Sequence, residues 1–427
     1  MKSIGLVGAI SIGIGGMVGG GIFAVLGEAV SLSHGATAVS FLIAGLVALL
    51  TSYSYAKLSV EFQSEGGTVT FIDKAFGDNI LSGSINLMLW LSYLVTISLY
   101  ASAFASYGAT FFTDKSPYMV HILITISILI PATINLISAS FVGKSEIVIV
   151  VIKLSLLVAI IVCSYSYVDM ERLSSTYWGD SLSIITAGMI IFVAYEGFEL
   201  IANSANDIKN PTKNLPRAFY FSVVIVIVLY ILISIITVGS VSEKALLEAK
   251  DYALAIAAKP ALGEVGFTIV SLAALLSTFS AINATIYGNS RLGYIIAKDG
   301  RLPQQLLKEK DDVPFMGVLY TVVFSLIVAN SITLSQIAII ASAGFLLIFF
   351  IVNLSAYKLR KQIKANKIVV ILSSSFSFLA LCTLLLHTYK SNPHAVVIFL
   401  SFIIISILFE LIYGRIVRTH LFNRKYP

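Results

Sequence analysis

Uncharged stretches of about 20 residues recur along the whole chain, and they constrain its fold more than any other feature. A helix of that length crosses roughly 30 Å of hydrocarbon. Of the 427 residues, 58% are hydrophobic and 12% are charged, so the chain needs lipid as its solvent. The stretches predict an all-α polytopic membrane protein with about twelve transmembrane helices, at 4–26, 36–56, 80–112, 117–137, 147–167, 181–205, 218–241, 265–290, 315–329, 334–357, 368–387 and 393–409.

The uncharged run 313–357 is long enough for two crossings, and we divide it at the polar patch 330–336. The resulting even number puts both termini on one side of the membrane. Cytoplasmic loops accumulate Lys and Arg, and most of the 28 basic residues fall on the side of the termini. We therefore expect both termini in the cytoplasm of a cell-membrane protein, and the net charge of +6 needs no nucleic-acid partner to explain it. The opposite side holds Lys115, Arg172, Lys244, Lys250, Lys259 and Lys390.

Two of the predicted spans contain residues that weaken a helix. The first contains GIGGMVGGGIF at 13–23, and each glycine costs about 1 kcal/mol relative to alanine in a helix. The sixth contains FVAYEGFE at 192–199, where Glu196 and Glu199 flank Gly197. The glycines alone are equally consistent with close helix packing. Glu199 alone is consistent with a side chain that reaches the membrane surface.

Taken together, the two weakened spans predict two five-helix halves of inverted topology, because corresponding broken helices mark the binding site of many transporters. The halves would be 1–168 and 181–357, followed by two further spans and a cytoplasmic tail in 368–427. A half-helix that begins in the membrane exposes amides that bind an anion, and one that ends there exposes carbonyls that accept an ammonium group. Backbone groups at the two breaks would thus bind both ends of a zwitterion.

At these residues the sequence resembles the amino acid permeases of the amino acid, polyamine and organocation superfamily, and it is most similar to archaeal proton-coupled members of broad specificity. The resemblance covers nearly the whole chain. Its motifs occur in the family's order: GGMVGGGIF at 15–23, SYAKL at 54–58, GG at 66–67, KAFG at 74–77, the sixth-span motif, DIKNP at 207–211, LPRA at 215–218, NATIY at 283–287 and AKDGRLP at 297–303.

The resemblance implies a LeuT-like fold of five plus five inverted helices with discontinuous helices 1 and 6. It also implies site residues. The amides of Gly19, Gly20 and Gly21 would hold the substrate carboxylate, and the carbonyls of Met17, Val193 and Glu196 would hold its amine, with Tyr195 and Gly197 beside them. Two departures affect gating and selectivity: some relatives have a large aromatic residue where this chain has Val193, and others have a neutral one where it has Glu196.

Lys153 is the only Lys, Arg, Asp or Glu in the fifth span, and it lies about 10 Å deeper than Glu146 at 1.5 Å per residue. A lysine whose head reaches the membrane surface is the alternative explanation. The resemblance implies that this lysine replaces the sodium ion that other relatives hold between spans one, five and eight. Its ammonium would donate to carbonyls of span one or to hydroxyls such as those of Ser277 and Ser280. The coupling ion would then be a proton, with no sodium, metal or other cofactor.

The function expected from these features is secondary active uptake of amino acids by alternating access. The sequence also allows several alternatives. These are a polyamine or organic amine carrier, an amino-acid exchanger, and a sensor that binds an amino acid without moving it. Glu196 either attracts cationic substrates or faces another span in its protonated form. No P-loop, GxSxG or HExxH pattern occurs, so the sequence predicts no enzyme, and no obligate protein partner is evident.

Overall fold

In the computed structural model, residues 3–113, 116–137, 139–310 and 313–414 are described. Lys115, residues 415–427 of the predicted tail, and the side chains of Lys144 and Glu146 lie outside that description. The described residues form α-helices joined by short 3₁₀ turns and loops. The helices are α1 Leu6–Met17, α2 Gly21–Ser33, α3 Thr37–Glu61, α4 Thr68–Phe76, α5 Ile80–Ala109, α6 Pro117–Ile137, α7 Ala139–Ser164, α8 Ser181–Ile190, α9 Leu200–Asn203, α10 Pro211–Ser240, α11 Glu243–Glu248, α12 Ala253–Ala257, α13 Lys259–Lys298, α14 Phe315–Ser331, α15 Leu334–Lys358, α16 Lys367–Ser391 and α17 Pro393–Ile412.

Within these residues, ten helical segments are long and apolar enough to cross a membrane, or eleven when α1 and α2 count as one bent span. The predicted ninth crossing is α14, which has 17 residues and is the short one of the set. The predicted division of the run 313–357 is confirmed, because α14 ends at Ser331 and α15 begins at Leu334. The Thr333 hydroxyl accepts a hydrogen bond from the Gln336 amide and starts the second of these helices.

The first span continues beyond the end predicted near residue 26. Its second half, α2, runs to Ser33 and includes Glu28. The carboxylate of Glu28 forms an ion pair with Lys250 and accepts a hydrogen bond from the Ser335 hydroxyl. A paired and hydrogen-bonded carboxylate is tolerated inside a helical bundle, so this charge does not end the helix.

The outer helices of the bundle expose apolar side chains, and the central helix α5 is the most enclosed. Ile126 on α6, Val158 on α7 and Ile404 on α17 are exposed, although a soluble protein would bury them. On α5, by contrast, even small polar residues such as Ser98 are buried against neighbouring helices. This pattern is that of a protein whose surroundings are lipid, with its polar groups turned toward the interior.

Both predicted interruptions are present as breaks in helical structure. The axis bends by 49° between α1 and α2. In the sixth span, α8 passes into a 3₁₀ segment at Ile191–Tyr195, the chain is non-helical at 196–199, and a single turn, α9, follows. Close packing by small residues is also present, because Gly13 lies against Ile201 and Ser222. The two explanations of the glycines therefore hold together.

Candidate functional site

The two breaks touch each other directly, backbone against backbone. A methyl group added to Gly16 would lie 2.6 Å from the carbonyl oxygen of Gly197 and 2.8 Å from its Cα. Gly197 itself has φ +119°, a conformation that side chains with a Cβ rarely adopt. Only two glycines allow the unwound segments to cross this closely.

The carbonyl end of α1 is held by side chains from three other helices. The Lys153 ammonium on α7 donates to the Gly15 carbonyl at 3.0 Å, and the Tyr230 hydroxyl on α10 donates to the Met17 carbonyl at 2.7 Å. The Ser277 hydroxyl on α13 donates to the carbonyls of Val18 and Gly19. These side chains supply the partners that the last carbonyls of a helix lack within the helix itself.

Tyr230 also joins the two breaks, because its hydroxyl lies 3.1 Å from the carbonyl oxygen of Ala194 as well. The predicted amine-binding carbonyl of Met17 is therefore already bonded to a protein donor in this conformation. Lys153 is 2% exposed, so it does not reach the membrane surface. Ser280 is buried on α13, one turn from Ser277.

The amide end of α2 begins at Gly21, and its first turn carries no acidic residue. First-turn amides have no partner within their own helix, so they can bind an anion. The ring of Tyr100, from α5, covers this terminus: a methyl group on Gly20 would lie 2.8 Å from its Cγ. Gly21 packs against Ala194 in the same way, with 2.7 Å from an added methyl to the Ala194 Cα.

The predicted residues of the sixth span differ in what they face. Val193 donates its amide to the Ser342 hydroxyl at 3.0 Å, and its carbonyl accepts from the Glu196 amide at 3.1 Å. The Tyr195 hydroxyl donates to the Phe41 carbonyl on α3 at 2.8 Å. Both residues are fully buried, and both serve contacts between helices.

The two acidic residues of this span are buried and have separate partners. Glu196 accepts a hydrogen bond from the Tyr100 hydroxyl through Oε2 at 3.2 Å. Glu199 accepts from the Tyr93 hydroxyl through Oε1 at 3.0 Å and from the Gly197 amide through Oε2 at 2.8 Å. Glu199 is 1% exposed, so the alternative that it reaches the membrane surface is wrong.

A cavity of about 460 Å³ lies beside the crossing. Of the predicted site residues, it is lined by Glu196 and Gly197, whereas Met17, Gly19, Gly20, Gly21, Val193 and Tyr195 do not line it. Gly15 and Gly16 also form its wall. Much of the remaining wall comes from helices α5 and α13, with further residues of the sixth span, and includes Tyr93, Tyr100, Asn203, Thr285, Tyr287 and Asn289.

The cavity extends toward the side on which α1 begins, the near side, because Gly66 of the α3–α4 connection and Thr68, the first residue of α4, line it. The opposite, far side is closed. There Lys250 pairs with Glu28, Gly27 packs on the backbone of Lys250, and the ring of Phe23 meets that of Tyr107 edge to face at 5.9 Å. The cavity therefore extends toward the near side, and these contacts hold the helices together on the far side.

The family model for amino acid permeases matches residues 8–413. The chain belongs to the amino acid permease family. It is a multi-pass membrane protein, and its family is one of transporters, not of enzymes.

Named relatives extend over the whole permease. An uncharacterized protein of Methanocaldococcus jannaschii is 33% identical over 100% of this chain and 98% of its own length. The inner membrane transport protein YbaT of Escherichia coli is 30% identical over 97% of each chain. A crystal structure of a mutant manganese transporter from Eremococcus coleocola has a TM-score of 0.61 at 13% identity, covering 96% of this chain and 94% of that one. That likeness shows the LeuT-like fold alone.

Sequence reasoning missed three hydroxyl residues of the permease's site. Tyr100 bonds Glu196, Tyr230 joins the two breaks, and Ser342 bonds both the Val193 amide and, at 2.5 Å, the Ile190 carbonyl. Each lies in an apolar span where a single hydroxyl carries no periodic signal. The signal that could have found them is a general requirement. Every helix break inside a membrane frees backbone groups, and these need hydrogen-bond partners from polar side chains on other spans.

Proposed function

We propose that this permease carries amino acids into the cell together with protons, by alternating access and with broad specificity. The observation that supports it best is the hydrogen bond from Lys153 to Gly15. It places a buried ammonium group on a carbonyl whose residue also lines the cavity. A group that binds and releases a proton there acts directly on the joint between α7 and the broken first span.

Proton coupling would work through that joint. A charged ammonium holds the negative end of α1 by charge as well as by a hydrogen bond, whereas a neutral amine provides only a weaker neutral bond. Loss of the proton would loosen α1 from α7 at this joint. One positive charge at this position also takes the role of a bound cation, so we propose that transport needs no sodium or other metal.

The orientation follows from the distribution of basic residues. We place both termini in the cytoplasm, so the near side of the cavity is the cytoplasmic side. Substrate would enter from outside when the contact of Lys250 with Glu28 is broken, and leave through the cavity seen here.

Uptake of a radiolabelled amino-acid panel into proteoliposomes tests the proposal. With sodium replaced by choline, wild type should accumulate substrate above equilibrium only when the outside is more acidic. Lys153→Ala should lose that accumulation but still exchange substrate at equal concentrations, which shows that it is folded. Lys244→Ala is the matched control, because Lys244 is an exposed lysine outside the site, and it should behave as wild type. Gradient-driven accumulation by Lys153→Ala would contradict the coupling role.

The same preparation separates the alternatives. A polyamine or organic amine carrier would be inhibited by decarboxylated analogues such as cadaverine. An exchanger would take up label only when the liposomes contain amino acid. A sensor would bind amino acids without any flux.

A further inference from the structure

Glu196 and Glu199 lie three residues apart, but the protein satisfies them to different extents. Both oxygens of the Glu199 carboxylate accept a hydrogen bond, from Tyr93 and from the Gly197 amide. Among the described residues, Glu196 has one such partner, the Tyr100 hydroxyl on Oε2, and it lines the cavity. Because a buried carboxylate requires several hydrogen bonds, Glu196 is the acid that has acceptor capacity left for a ligand.

The acidic group of the cavity wall belongs to Glu196. The described residues that line the cavity include no Lys, Arg or His, and Glu196 is the one acidic residue among them. Lys153 lies behind the Gly15 carbonyl and is not part of the wall. A cation that enters this poorly solvated space therefore meets a single carboxyl group, favours its ionised form, and has no protein cation of the wall to compete with it.

Tyr100 connects this carboxylate to the amide end of α2. Its hydroxyl donates to Glu196, while its ring lies over Gly20. As long as the hydrogen bond to Glu196 holds the side chain in place, the ring covers the amides that would bind a carboxylate.

We propose that Glu196 binds a side-chain cation of the substrate, and that this pairing releases Tyr100 from Gly20 and uncovers the amides of α2. The inference deepens the proposed function and depends on it. The preferred ligand is an amino acid with an ammonium or guanidinium group at the end opposite its carboxylate. In this assignment the α-ammonium is left to backbone carbonyls at the breaks, and Glu196 is left for the side-chain cation.

Four related compounds test the requirement for both ends. Lysine carries the carboxylate and the distal cation, norleucine lacks the distal cation, 6-aminohexanoate lacks the α-ammonium, and cadaverine lacks the carboxylate. Wild type in proteoliposomes should take up lysine with a kcat/KM roughly 10 to 100 times that of norleucine, the range of one charged hydrogen-bonded pair. Excess 6-aminohexanoate should inhibit lysine uptake, and cadaverine should not.

Two variants act on the two partners of the hydrogen bond. Glu196→Gln should lower lysine uptake by roughly 10 to 100 times while norleucine uptake remains measurable, because it removes the charge and keeps the size. Tyr100→Phe keeps the charge and removes the bond that holds the ring over Gly20, so norleucine uptake should rise several-fold. Glu264→Gln is the control, since Glu264 forms an exposed ion pair with Lys259 away from the cavity, and it should leave the lysine preference as it is.

The outcomes distinguish this inference from the function on which it depends. Equal losses of lysine and norleucine uptake in Glu196→Gln, or a wild type with no preference for lysine, would overturn the inference. Gradient-driven uptake of norleucine alone would do so while leaving the proposed function standing. Absence of flux for every amino acid of the panel would remove the proposed function itself.

Discussion

The crossing of the two breaks at Gly16 and Gly197 gives the sharpest prediction. In Gly197→Ala, the new Cβ would lie 2.6 Å from the Gly16 Cα and from the Met17 nitrogen, where ordinary contacts are 3.4–4 Å. Relief requires a backbone shift of about 1 Å, and overpacking of this kind costs about 1–3 kcal/mol. The φ of +119° adds about 1–3 kcal/mol of backbone strain for a residue with a side chain. The free energy of unfolding should therefore fall by about 2–6 kcal/mol.

Three further glycines separate the two contributions. Gly16→Ala introduces a clash without a positive φ, and Gly77→Ala introduces strain at φ +78° with no atom within 4 Å of the added methyl. Each should cost about 1–3 kcal/mol. Gly288→Ala introduces neither, although Gly288 lines the same cavity, and it should stabilise its helix by about 0.5–1 kcal/mol.

Equilibrium denaturant titration of the purified variants in detergent micelles measures these differences, and uptake by proteoliposomes reports the functional loss. Gly197→Ala should show the lowest uptake of the four, since it displaces both breaks. If Gly197→Ala were as stable and as active as Gly288→Ala, the direct backbone contact at the crossing would be refuted.

Two more predictions concern side chains that hold the elements around the site. Tyr230→Phe leaves the carbonyls of Met17 and Ala194 without their shared donor, so the free energy of unfolding should fall by about 1–3 kcal/mol. Tyr320→Phe, which removes an exposed bond to Gln305, should change it by less than about 0.5 kcal/mol, and equal effects would contradict the bridging role. Burial raises the pKa of Asp73 above its ordinary value against the opposing charge of Arg301, so its contribution to stability is full at acid pH and is lost as pH rises through the raised pKa. In a pH series of unfolding titrations, Asp73→Asn should remove that decline in the free energy of unfolding. Asp180→Asn should instead remove a change of opposite sign, because hydrogen bonds from Ser183 lower the pKa of Asp180. Parallel curves for wild type and Asp73→Asn would refute the contribution assigned to Asp73.

The sequence predicted the helical spans and the position of both breaks because hydropathy and glycine content are local properties. Charges in apolar spans were equally informative: Lys153, Glu196 and Glu199 are each buried at the crossing or next to it. Span ends were predicted less well, as Glu28 shows. An acidic residue was read as the end of a crossing because the sequence does not show its partner. The partner of Glu28 is Lys250, which lies more than 200 residues further along the chain.

The arrangement around the site could not be predicted in the same way. Whether Gly20 faces a ligand or a protein ring depends on the rotamer and position of Tyr100, which tertiary packing decides. Tyr195 and Glu196 are a second example. They are neighbours in sequence, but Glu196 lines the cavity whereas the Tyr195 hydroxyl donates to a carbonyl on α3. In unwound backbone, consecutive side chains do not follow a helical period, so sequence spacing does not predict their direction.

The contact of Gly16 with Gly197 consists of main-chain atoms, with no side chains to interlock. When two helices pack through interdigitated side chains, a change in their crossing angle requires those side chains to repack, whereas a contact of backbone atoms has no side chains to repack. At this contact the first and sixth spans can therefore change their crossing angle without a change of side-chain rotamer. Resistance to that motion must then come from hydrogen bonds around the contact, such as those of Lys153 on α7 and Tyr230 on α10 to the carbonyls of α1.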